Sequence, residues 1–147
     1  MKGYGFVMLG LTAGIAVPLM AALNAQLGTK LANPFAAAAV LCVVAFLTCL
    51  CAFYVAGGSI TMLRWPPLSA AYGAGALFTV YIASITFLAP RIGVGNAVFL
   101  VLLGQLVSSA AIDHFGLFGA ERYPLDWKRM AGLALMTAGI LLARKQV

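Results

Sequence analysis

The sequence predicts an all-α membrane protein of about five transmembrane helices, and three observations predict it. The first acidic residue is Asp113, so 112 of the 147 residues pass before any carboxylate appears. Charge is confined to short islands at Lys2, Lys30, Arg64, Arg91, the stretch from Glu121-Arg122 through Asp126 to Lys128-Arg129, and Arg144-Lys145. The first four uncharged gaps between them run 21 to 33 residues. About 20 apolar residues at about 1.5 Å rise cross a hydrocarbon core of about 30 Å, so each of these gaps can hold one span. Composition is the third observation: 64% of residues are hydrophobic and 8% charged, with a mean hydropathy of +1.06. Such a chain has too little polar surface to clothe a water-soluble globule of this size. Helices and closed barrels alone satisfy every backbone amide in lipid, and no run alternates with period two, so the spans read as helices.

The first helix is expected over residues 4–27. Its Met-Lys-Gly-Tyr start resembles a signal peptide, but the apolar run is too long for a cleaved leader, and Pro18, Asn24 and Gln26 suit a retained, kinked helix. The second, over 34–54, opens at Asn33-Pro34, a capping side chain followed by a proline whose missing N–H costs nothing at the first helical position. The third is expected over 68–89, opened by Pro66-Pro67. Pro90, with Arg91-Ile92-Gly93, then makes a tight connection to the fourth, over 94–112. The fifth has the shortest apolar core, Met130–Leu142, and Trp127, Lys128 and Arg129 extend it by snorkelling to about 127–144. Together they make one transmembrane domain over 1–147.

The net charge of +6 does not imply nucleic acid, because the basic residues stand singly between apolar runs instead of lining one face. They read as anchors near lipid headgroups. Five helices put the termini on opposite sides. Lys2, Arg64, Arg122, Lys128 and Arg129 then share one side, and Lys30, Arg91, Arg144 and Lys145 the other. A five-to-four split specifies almost no orientation, so insertion in both directions is one reading; a cytoplasmic N-terminal side is the other. Tyr4, Tyr54, Trp65, Tyr123 and Trp127 all fall on the N-terminal side, so the two faces are not equivalent.

The fourth helix is the most polar. Gln105, Ser108 and Ser109 are spaced i, i+3 and i+4 and share a face, with Asn96 earlier and Asp113 and His114 at the end. Amides and hydroxyls in lipid need partners, so Gln105 and Ser108 either hydrogen-bond neighbouring helices or line a wet cavity. Asp113-His114 fits an interfacial capping or gating pair, and a proton relay is the alternative. Pro18 frees a carbonyl near mid-membrane, and Asn24 and Gln26 follow it; Asn24 either lines a cavity or caps the helix end. Tyr72 and Tyr81 in the third helix add aromatic groups whose default is packing. Gly10 and Gly14 form a G-x-x-x-G, and Gly104 pairs with Ser108 as small-x-x-x-small. Both are ridges for close helix contact, within or between subunits. Cys42, Cys49 and Cys51 share the second helix with no histidine or acid, so they read as packing residues and not as metal ligands.

Catalytic constellations are missing. One histidine and three acids supply no Ser/His/Asp set, no H-E-x-x-H and no phosphate-cradling loop. Neither an enzyme, nor a bound metal or cofactor, nor an ATP-driven pump is expected.

The chain resembles the YdcZ-type five-helix inner-membrane exporters of bacteria, in the drug/metabolite transporter superfamily. The likeness rests on Asn24-Ala25-Gln26-Leu27-Gly28, on Ala89-Pro90-Arg91-Ile92-Gly93, and on Gly104-Gln105-Leu106-Val107-Ser108 followed by Asp113-His114-Phe115-Gly116. The resemblance implies one half of a ten-helix, EamA-like inverted-repeat transporter, with two units paired around a path for a small organic solute. Five helices leave little room for an alternating-access cavity, and many transporters place the site between two inverted repeats. An antiparallel homodimer fits the charge split, and a pair with a sister chain competes with it. A membrane-buried acid of the kind that small multidrug exporters use is absent from the first helix, which disfavours bare cations as cargo. A non-transporting subunit that stabilises a partner complex is the rival reading.

Overall fold

In the structure, a computed structural model, residues 3–62, 64, 67 and 70–143 are described. Lys2, Trp65, Pro66, Leu68, Arg144, Lys145 and Val147 lie outside them. The described residues are helical with no strand: α1 Gly3–Lys30, α2 Pro34–Val55, α3 Gly73–Ile92, α4 Val94–Phe115 and α5 Trp127–Ala143. The first four are long and apolar enough to cross a membrane, and 17 residues of α5 are described. The all-α membrane fold expected from the charge gaps is therefore present.

The described residues fall into two compact units, one within Met1–Arg91 and one within Ile92–Val147. In the first, α1 packs on α2 through a three-residue turn. The turn closes α1 by donating Ala32 N–H to Thr29 O (3.2 Å) and Asn33 N–H to Gly28 O (3.1 Å), with Ala32 in the left-handed region at φ +50°. This is the Schellman pattern of helix ends. Asn33 then opens α2 at once: its Oδ1 accepts from Phe35 N (2.9 Å) and Ala36 N (3.2 Å), with Pro34 in the first helical position. The core of this unit is small-residue packing. Ala21, Ala25, Ala37 and Ala38 are buried with Ile82, Ala83, Ile85 and Ala89 of α3, while Met20, Leu41 and Tyr81 pack around Ala38, Ile82 and Ala83.

The second unit joins α4 to α5 through residues 116–126. Gly116, at φ +64°, ends α4, and its N–H bonds Ile112 O. Asp126 opens α5, its Oδ1 accepting from Arg129 N at 2.8 Å, as an N-cap aspartate does.

Several boundaries differ from expectation, each for a local reason. The Schellman turn carries α1 to Lys30, so Asn24 and Gln26 lie inside the helix instead of ending it. Pro67 lies outside a helix, and a single 3-10 turn over Ala70–Tyr72 precedes α3, so the prolines do not open that helix directly and Tyr72 sits before it. Pro90 lies inside α3. In a last turn its missing N–H deprives only the carbonyl of Thr86, and the chain breaks instead at Gly93, φ +87°. The fourth helix runs on to Phe115, which places Asp113 and His114 in its last turn.

Candidate functional site

Hydroxyls in these spans mostly satisfy themselves on their own helix. Thr12 donates to Met8 O and Leu9 O, Thr48 to Val44 O and Ala45 O, Thr79 to Gly75 O, and Ser109 to Leu106 O. Such back-bonding removes the penalty for a hydroxyl in lipid without involving a neighbour. Three polar arrangements do more than this.

The first is a joint between α1 and α3. Asn24, 4% exposed, donates through Nδ2 to Oγ1 of Thr86, which is 1% exposed and itself donates to Ile82 O at 2.7 Å. One turn further along α1, a Cβ on Gly28 would stand 2.8 Å from Thr86 Cγ2. Only glycine therefore lets the Thr86 methyl sit against α1 and hold the hydroxyl in line with Asn24. Asn24 does not cap the helix end: it lies inside α1, and its amide is turned to α3. Asn24 also edges a groove of about 570 Å³ between α1 and α2 whose other walls are largely apolar, such as Leu19, Leu23, Val40 and Val44.

The second arrangement is a recess of about 350 Å³ where α1 ends, α2 begins and α3 ends, lined by Gly28, Thr29, Ala32, Pro34, Thr86, Phe87, Pro90 and Arg91. The Arg91 guanidinium lies over the Phe87 ring, its Cζ 3.4 Å from the centroid, and donates through Nη1 to Phe87 O at 2.6 Å. Stacking and hydrogen bond together orient the cation.

The third lies at the end of α4. Arg129 forms an ion pair with Asp113 and donates to Tyr123 O at 3.1 Å. Tyr123 N–H bonds Asp113 O at 2.9 Å. His114 Nδ1 accepts from Leu125 N at 3.0 Å, and Arg122 Nε donates to His114 O at 3.2 Å. Asp113 and His114 thus tie the end of α4 to the following loop and to the first turn of α5. Both are half-buried.

The remaining candidate residues are dispersed. Gln26 is exposed, and Tyr72 is exposed in the turn before α3. Tyr81 is half-buried on the core, its ring 6.5 Å from that of Phe78. Asn96 is half-buried in the first turn of α4, and Gln105 and Ser108 are exposed along that helix. Gly10, Gly14 and Gly104 have nothing within 4 Å of where a Cβ would stand. Asn24, Gln26, Tyr72 and Tyr81 belong to the first unit, and Asn96, Gln105 and Ser108 to the second. Sequence reasoning passed over Thr86, Arg91 and Arg129. A signal for Thr86 was present: Ile82, Ile85, Thr86 and Ala89 repeat at helical spacing, and Thr86 stands four residues before Pro90.

Residues 5–142 match the family model described as "Putative inner membrane exporter, YdcZ". No curated protein and no solved structure matches the chain. The match runs through all five helices and through each stretch on which the resemblance rests. With its long apolar helices, the chain thus belongs to the YdcZ family of inner-membrane exporters, a multi-pass inner-membrane protein with a transporter's role.

Proposed function

We propose that the chain is one half of a secondary transporter: two copies assemble in opposite orientations, and a small organic solute crosses between them by alternating access. The observation that carries this reading is Gln105. It lies near the midpoint of a 22-residue apolar helix, exposed, and makes no hydrogen bond among the described residues. A primary amide has two N–H donors and a carbonyl acceptor, and hydrocarbon answers none of them. Its partners therefore come from outside the second unit, and a second subunit, or solute and water in a cavity at the subunit interface, would supply them. Ser108, one turn on, is exposed in the same way.

The open ridge at Gly10 and Gly14 supports close approach of another helix from a second copy. The even division of basic residues supports insertion in both directions. Nothing acidic lies within the first unit, so neutral, zwitterionic or anionic solutes suit it better than bare cations, and transport runs on an ion gradient or on the solute's own gradient. A sister chain of fixed orientation is favoured by one observation: Tyr4, Tyr54, Tyr123 and Trp127 all mark the same side.

A screen of small solutes against the purified chain, read as a rise in Tm, tests the reading. Gln105→Leu is expected to abolish the solute-dependent rise and leave the ligand-free stability within about 0.5 kcal/mol of wild type, since an exposed group strands no buried partner. A variant that still responds normally removes Gln105 from the site. A chain that responds to no solute favours a non-transporting subunit. Reporters fused after Val147 that place every molecule's C-terminus on one side exclude the antiparallel homodimer and leave the sister chain.

A further inference from the structure

We propose that the recess at the α1–α2 turn is a binding site for an anionic oxygen group, a phosphate or a carboxylate, with Arg91 as its principal contact. Three observations converge on that chemistry. The recess carries Arg91 in its wall, beside Thr29 and Thr86 whose hydroxyls donate to Gln26 O and Ile82 O, whereas the grooves beside it have no charged residue and are lined mainly by aliphatic and aromatic side chains. Its cation is already oriented by the Phe87 ring and carbonyl, so little side-chain freedom is lost when a ligand arrives. Among the described residues only Nη1 is engaged, which leaves N–H groups of the guanidinium fork for a bidentate acceptor.

The decisive observation is charge. Arg129 in the second unit has Asp113 as a partner, but Arg91 has no ion pair among the described residues, and residues 1–112 contain no Asp or Glu. The first unit has no carboxylate of its own to give, so any anion that meets Arg91 comes from outside that unit. Helix-end charge does not supply the site: Asn33 already occupies the Phe35 and Ala36 N–H groups, and the Thr29 hydroxyl donates to Gln26 O. The recess also lies at the ends of α1 and α3 and the start of α2, the level at which lipid phosphates meet a membrane helix. Two sources of the same chemistry fit there, a lipid headgroup and the head of a small anionic solute. The site lies wholly within the first unit and does not require dimerisation.

The test uses the full chain purified in a neutral detergent, with Tm read against three probes: a short-chain phosphatidylglycerol, inorganic phosphate and succinate. At least one of them is expected to raise Tm saturably, and Arg91→Gln to weaken its apparent affinity about tenfold. Arg91→Lys keeps part of the response, because the charge stays while the fork is lost. Arg64→Gln, which removes the same charge elsewhere in the chain, keeps all of it. A response to the lipid alone assigns the site to a headgroup, and a response to free phosphate or succinate assigns it to a solute. Should Arg91→Gln fail to fold, Phe87→Leu retains the arginine but removes the ring that orients it, and is expected to weaken the response several-fold. The proposal is overturned if none of the three probes stabilises the wild-type chain, or if Arg91→Gln, or Phe87→Leu in its place, responds as wild type does.

Discussion

Two glycine-bearing stretches of α1 meet opposite surroundings. Around Gly28 the helix is closed: Ala21, Asn24 and Ala25 are buried with it, and a Cβ would run into Thr86. Around Gly10 and Gly14 it is open, and a Cβ would meet nothing within 4 Å. The same contrast holds for amides, since Asn24 is satisfied within the first unit and Gln105 has no hydrogen bond among the described residues. Small residues and amides in a membrane helix are tools for close association. The difference teaches which of them the chain uses to build itself and which it presents outward.

The largest expected effect breaks the closed side. Gly28→Leu forces a branched side chain against a buried, β-branched threonine that is held by two hydrogen bonds and cannot swing away. Overpacking of this kind costs about 3 kcal/mol, seen as a fall in Tm or as failure to accumulate. Gly10→Leu should leave the stability of the isolated chain within about 0.5 kcal/mol of wild type while weakening self-association in a crosslinking assay. Equal damage from both substitutions would erase the distinction between the two stretches.

Thr86→Val comes next. It keeps the shape of the side chain but removes the acceptor, leaving the buried Asn24 amide without its partner. About 1.5 kcal/mol of lost stability is expected, between the cost of stranding a buried donor and the smaller values measured between membrane helices. Adding Asn24→Leu should recover much of the loss, because replacing both partners by apolar groups of similar shape is nearly neutral. A double variant no better than the single would mean that Asn24 holds the joint by packing.

Asp113→Asn should have a smaller effect. The Asp113–Arg129 pair is about one-third exposed on each side, so solvent screens it and the expected loss stays below about 1 kcal/mol. It should shrink further as salt is raised. A loss of several kcal/mol, insensitive to salt, would show that the pair is shielded from water within the membrane assembly.

The parts of this fold that could be read from sequence are those set by local rules. Charge gaps matched to the thickness of the bilayer located the first four helices, and Asn33-Pro34 marked the start of α2 because a cap needs only its next three residues. Proline misled where position outweighed identity: Pro90 sits where a helix has almost no hydrogen bonds left to lose. Of the site, the polar face of α4 was visible as spacing, but its exposure was not. The spacing of Ile82, Ile85, Thr86 and Ala89 marked Thr86 as core-facing, but its partner Asn24 lies 62 residues away in the chain and meets it only where α3 approaches α1. Arg129 likewise becomes the partner of Asp113 only once the connection after α4 turns back.

The smallest effect compares two helix ends built alike. The end of α2 repeats the Schellman pattern of α1, with Gly57 N–H to Tyr54 O at 3.0 Å and Gly58 N–H to Phe53 O at 2.9 Å. The left-handed residue there is Gly57, φ +83°, where α1 has Ala32, φ +50°. An L-residue with a Cβ is strained in this region by about 1–2 kcal/mol, and glycine relieves the strain but adds about 0.4–1 kcal/mol of unfolded-state entropy to overcome. Ala32 is exposed, so its methyl contributes little packing to set against the change. Ala32→Gly should therefore gain about 0.5 kcal/mol, and Gly57→Ala should lose about 1 kcal/mol, in parallel melts of the purified chain. If Ala32→Gly instead lowers Tm, the methyl is packed in the assembled protein, and the turn that walls the Arg91 recess belongs to an interface absent from the single chain.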